Sequence, residues 1–240
     1  MERGAGHMGD SVDGKEPQEP APQASYAKQL WLLFEMLLFY VATPIVIYSL
    51  LYDYRIPLFK ILPPVFLFFI VFLTIDRSFS WRKLLGRGIN LRELASILAL
   101  LLVAGPALVF FAMEDVPQRF LAFPRYAQDI WISVMILYPA VSVTTQEIMY
   151  RVFFFHRYEP LIGRDPQSAI VLNAVLFSFS HIVFQNVITL VISLLGGLLF
   201  AWRYHSSRSY WAVVLEHAIY GNLIFTVGLG RYFYTGVSNF

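Results

Sequence analysis

The 240-residue chain contains no cysteine, which removes thiol catalysis, disulfides, iron–sulfur clusters and thiolate metal sites together. It is also poor in charge. Asp, Glu, Lys and Arg make up 14% of the residues, against about 25% in an ordinary soluble domain. Neither sign dominates, because 18 basic residues face 16 acidic ones for a formal net charge of +2. The basic residues sit in short clusters between apolar runs rather than along one stripe, so nothing points to a nucleic-acid partner and the clusters read as topology signals. Apolar residues fill the chain instead: it is 58% hydrophobic and 17% aromatic, with a mean hydropathy of +0.59. That composition is expected of an integral membrane protein, with membrane lipids as its first partners.

A helix crossing ~30 Å of hydrocarbon needs about 20 mostly apolar residues. Apolar runs fall at 28–52, 57–75, 91–113, 127–157, 168–186, 187–203 and 209–229. The fourth is long enough for one tilted helix or two shorter ones, with Pro139 as a kink or break at its middle. The expected fold is therefore all-α, a polytopic membrane protein with seven to eight transmembrane helices. Residues 1–25, polar and rich in Pro, Gly and acids, read as a disordered tail without the apolar core of a signal peptide. Residues 26–126 read as N-terminal membrane helices, and 230–240 as an aromatic interfacial segment. Arg77, Arg82, Lys83, Arg87 and Arg92 crowd one linker while Glu114 and Asp115 begin the next, which places the basic linker and the N-terminus in the cytoplasm. A fourth run that spans once puts Arg157, Arg164, Arg203 and Arg208 on that side as well. No inverted repeat of the transporter kind is visible.

Against this background a few ionisable residues stand out, because a charge at bilayer depth costs at least ~2.5 kcal/mol and such residues normally pair or face a cavity. In TTQEIMYR, residues 144–151, Glu147 and Arg151 lie four apart and share a helix face. In FSFSHIVF, residues 177–184, His181 shares a face with Phe177. In EHAIYGN, residues 216–222, Glu216, His217 and Asn222 are the polar groups. Each alone has a bland reading: a locking ion pair, a packed histidine, or, for Glu216, a partner for a basic residue on a neighbouring helix. His156 and His205 lie beside arginines at the ends of apolar runs, where an interfacial role suffices. Three apolar segments carrying such groups together point to a cavity in which a carboxylate activates water, with imidazoles and an amide to assist. Two histidines and a carboxylate also form a familiar zinc set, but no HExxH helix supplies two ligands from one face. Zinc is thus compatible with the residues and not required by them, and no metal ligand or other cofactor is assigned.

QExxxR at 146–151, FxxxH at 177–181 and the His-plus-Asn pair at 217 and 222, in that order on successive apolar segments, resemble the CPBP or Abi intramembrane proteases, the CAAX-protease and bacteriocin-processing family. The resemblance covers about residues 127–229. It implies a helical core that opens to water and lipid, in a bacterial inner membrane, and an endopeptidase that hydrolyses a bond of a membrane-anchored protein or peptide, in some members a lipidated one, through glutamate- and histidine-activated water. It implies Glu147, His181, His217 and Asn222 as catalytic residues, supported by Gln146, Arg151 and Phe177. Two positions depart from the family's pattern: Gln146 stands where a glutamate is usual, and Gly221 where the asparagine is usual. Since an amide takes up no proton at useful pH, Glu147 is the expected base. Asn222, five residues after His217, is about 140° round a regular helix and reaches the site only if the helix is distorted near Gly221. The alternative reading is a non-catalytic scaffold or immunity protein that binds a lipid or peptide in the same cavity. A proton-coupled carrier using these groups as a relay is a third.

Overall fold

The computed structural model describes residues 25–162 and 165–235, and the expected tail, Arg164 and the end of the aromatic segment lie outside the described residues. Among the described residues there are helices and no strand. We number the long helices α1 (Tyr26–Tyr52), α2 (Leu58–Ile75), α3 (Leu91–Asp115), α4 (Gln128–Arg157), α5 (Pro166–Phe184), α6 (Val187–Ser207) and α7 (Tyr210–Val227). Of these, α1 to α6 are long and apolar enough to cross a membrane. The protein is an integral membrane protein.

Six such helices are fewer than the seven to eight expected. The eighth disappears because the fourth run stays one 30-residue helix. Pro139 leaves its turn without an N–H donor, and the backbone answers with a π-helical turn over Tyr138–Val143 instead of breaking. The seventh, α7, is helical over 18 residues, but Glu216, His217 and Asn222 interrupt its apolar content. It enters the bundle as a helix shielded by its neighbours.

Helix α4 is the axis of the fold. Ile148 to Phe155 are all buried, and a second π-helical turn spans Ile148–Phe153. Wide turns of this kind loosen the regular backbone ladder, and side chains of neighbouring helices cover the carbonyls there: the Tyr40 hydroxyl donates to Met149 O at 2.6 Å and the Asn173 amide to Tyr150 O. Around this axis Phe39, Phe69, Phe72 and Phe153 pack ring to edge at 4.9–6.2 Å between centroids. On the far side α5 and α6 approach closely at Gly197, where a Cβ would lie 3.0 Å from the Ala174 Cα. A small residue at that crossing is the usual means by which membrane helices come together.

Two ion pairs staple the bundle. Arg157 Nε and Nη2 each donate to a Glu35 carboxylate oxygen at 2.8 Å, joining α4 to α1. Arg203 grips Glu216 in the same two-pronged manner at 2.8 and 2.9 Å and also donates to Ser96 Oγ at 3.0 Å, joining α6, α7 and α3. This is the pairing with a basic residue on a neighbouring helix that the sequence allowed for Glu216.

Candidate active site

Three helices deliver the site. The carboxylate of Glu147 on α4 is fully buried and lies between two partners. His217 of α7 donates from Nδ1 to Oε1 at 2.7 Å, and Arg151, one turn along α4, places Nε 3.3 Å from Oε2. Because a carboxylate only accepts, the His217 proton in the neutral ring sits on Nδ1 and Nε2 carries the lone pair. The Tyr138 hydroxyl, from the Pro139 turn of α4, lies 3.1 Å from that Nε2 and donates to it. The His217 ring is stacked on Phe200 of α6 at 4.4 Å and 21°.

Phe177 connects the histidines. Its ring meets His217 at 5.8 Å and His181 at 4.8 Å, and the Arg151 guanidinium lies over it at 4.3 Å. This cation–π contact partly replaces water for a charge with no exposed surface, and Nη2 adds a long bond of 3.4 Å to Gly197 O. His181 ends the α-helical part of α5, where its Nδ1 lies 2.8 Å from Phe177 O. A carbonyl cannot donate, so the His181 proton is on Nδ1 and its Nε2 is a free acceptor.

A cavity of about 740 Å³ opens beside these groups. Tyr138, Gln146, His181 and His217 line it, and apolar residues such as Leu62, Leu108 and Ile192 form most of the remaining wall. Glu147 and Arg151 do not line it. The carboxylate expected to meet water directly therefore stands one layer behind His217. Gln146 reaches the cavity wall, donates from Nε2 to Ser142 Oγ at 2.8 Å and keeps Oε1 buried without a partner.

Asn222 is the sequence-assigned residue that the structure does not bring to this group. Helix α7 is regularly α-helical through Gly221, so the 140° offset stands and the amide donates to Met135 O at 3.2 Å instead. What stands close to His217 is Tyr138, which sequence reasoning passed over. The glycine facing it offered a signal only in retrospect, since a Cβ on Gly221 would lie 2.3 Å from the Tyr138 hydroxyl.

The donor set does not suit a divalent cation. Glu147 Oε1 and both His217 nitrogens are already hydrogen-bonded, the Arg151 cation stands 3.3 Å from Glu147 Oε2 where a metal ion would have to sit, and among the described residues no three His, Asp or Glu side chains converge on one point. Chelation with EDTA is accordingly expected to leave any activity of the purified protein unchanged, and a loss restored by added zinc would contradict this geometry.

Residues 127–223, about two fifths of the chain, match a family model described as type II CAAX prenyl endopeptidase Rce1-like. No match to a curated protein or to a solved structure was found. The matched segment runs from the start of α4 into α7 and so contains Glu147, His181 and His217, and over this segment the chain is similar to the Rce1-like CAAX proteases.

Proposed function

We propose that the protein is an intramembrane endopeptidase that hydrolyses a peptide bond near the C-terminus of a membrane-anchored, lipidated protein, with residues 127–229 as its catalytic core. The observation that carries the reading is the buried Glu147–His217 pair at 2.7 Å, with His217 and Tyr138, its partner at 3.1 Å, in the wall of an apolar cavity. The proton released by water ends on His217 Nε2, and Glu147 holds the ring in the right tautomer and stabilises the imidazolium that forms. His181 Nε2 accepts a hydrogen bond from the same water and orients it for attack on the scissile carbonyl. The proton then passes from His217 to the departing amine, so the base of the first step is the acid of the second. Phe177 spaces the two imidazoles, and the apolar wall suits a hydrocarbon chain attached to the substrate. The exposed Arg77, Arg82, Lys83 and Arg92 favour a cytoplasmic basic linker and N-terminus, in a bacterial inner membrane.

The test is cleavage of a farnesylated CAAX-box peptide by the purified full chain in detergent. His217→Ala is expected to abolish turnover, and His181→Ala to lower it by about 10²-fold, the usual weight of one positioned acid–base group. Full activity in both variants would end the reading. One observation favours a non-catalytic binding protein instead: Gln146, at the cavity wall, carries an amide that cannot titrate. On that reading the chain retains the peptide without cutting it, and the His217→Ala protein retains it equally well.

A further inference from the structure

Tyr138 is a polar residue of the cavity wall that the proposed mechanism leaves unused, and its place beside His217 sets it apart. Its hydroxyl occupies the lone pair of His217 Nε2 at 3.1 Å, the atom through which the water proton must pass. A water cannot reach that lone pair while the phenol covers it. Tyr138, however, lines the cavity, and its oxygen keeps acceptor lone pairs of its own. Two features of the fold hold it there. The π-helical turn at Pro139 places the side chain towards α7, and Gly221 leaves the space, since a Cβ at that position would lie 2.3 Å from both the hydroxyl and Cε1. The edge of the Tyr138 ring against Phe225, at 5.1 Å and 70°, fixes its orientation without a further polar contact.

The geometry points to Tyr138 as a catalytic proton relay and oxyanion donor, an inference that rests on the proposed hydrolysis. Water gives one proton to the phenol oxygen as the phenol gives its own to His217 Nε2. One water O–H bond and the original phenol O–H bond break, a phenol O–H and an N–H bond form, and the hydroxide joins the carbonyl carbon while the carbonyl π pair moves to oxygen. His217 Nε2–H now donates to the phenol oxygen. The new phenol proton points into the cavity, where the oxyanion has just formed. One hydroxyl thus carries out the proton transfer and then supplies the donor that Asn222, held by Met135 O, does not.

Tyr138→Phe keeps the ring and removes the relay. In the farnesylated CAAX-peptide assay kcat is expected to fall by about 10²–10³-fold, the weight of an oxyanion donor, with KM and the melting temperature little changed. Gly221→Ala, which pushes the phenol off His217, is expected to fall equally, and the double variant to be no worse than either single one. A ¹⁵N spectrum of histidine-labelled protein supplies a readout free of turnover: the His217 Nε2 resonance should move towards that of an unbonded acceptor in Tyr138→Phe. A Tyr138→Phe protein with wild-type kcat beside an inactive His217→Ala protein overturns the relay and leaves the hydrolysis reading standing. An Nε2 resonance that does not move overturns it as well. Activity retained in His217→Ala, or no turnover of the probe by the wild-type chain, removes the relay together with the reading beneath it.

Discussion

Replacing Glu147 by Gln is expected to lower turnover of the lipidated peptide by about 10³–10⁴-fold while leaving the protein folded. The substitution is nearly isosteric, so the 2.7 Å contact to His217 Nδ1 can survive in distance. Its sense does not survive reliably, because an amide presents either oxygen or NH₂ to the ring. If NH₂ faces Nδ1, the His217 proton moves to Nε2 and the lone pair needed for the water proton is lost. If oxygen faces it, the tautomer is kept but the negative charge that steadies the imidazolium is gone. Either outcome acts on kcat and leaves KM almost untouched, since Glu147 does not line the cavity and does not contact substrate. A variant with raised KM and intact kcat would place Glu147 in binding rather than catalysis.

The largest expected effect on stability comes from Arg151. It is the largest fully buried side chain among the described residues, and its charge is balanced by Glu147 at 3.3 Å and by the face of Phe177. Arg151→Met keeps much of the volume and leaves a carboxylate without its counter-ion in a low-dielectric interior. Removing one partner of a buried pair in this way costs about 3–5 kcal/mol, which for a chain of this size lowers the melting temperature on the order of 10 °C. The double variant Glu147→Gln with Arg151→Met removes both charges and is expected to regain a large part of that loss, because no lone charge remains. Melting curves in one detergent decide the matter. A single variant as stable as the parent would mean that the guanidinium contributes little beyond packing.

The membrane class, the order of the spans and the three groups that meet at the site were legible from residue type and spacing. Glu147 and Arg151 share a face at any helical pitch near four, and His217 and His181 lie in apolar segments where few bland explanations apply. The layering was not legible. Nothing in the spacing says that Glu147 faces His217 rather than the cavity, since that depends on how far α7 is rotated about its axis. Asn222 failed for a reason already visible in the spacing, because α7 has no distortion to bring it round. Tyr138 was hidden by its own helix. Nine residues of regular α-helix place it about 180° from Glu147, and the wide turn at Pro139 absorbs part of that rotation so that both residues reach the two nitrogens of one imidazole. Pro139 was noticed in the sequence as a kink or break, but its effect on helical phase depends on where the backbone places the extra residue.

The coupling of Arg203 to Glu216 has a consequence for biogenesis. Helix α7 carries a carboxylate, an imidazole and an amide within seven residues, and released alone into lipid it would be a poor membrane segment. Arg203 lies on the helix made immediately before it, and the chain between them is two residues long. The pair therefore neutralises itself inside a single hairpin, so α6 and α7 can leave the translocon as one unit with the arginine and glutamate already matched. The contact that staples α6 to α7 in the folded bundle is thus one that these two helices can make as a hairpin, before the rest of the bundle closes round them.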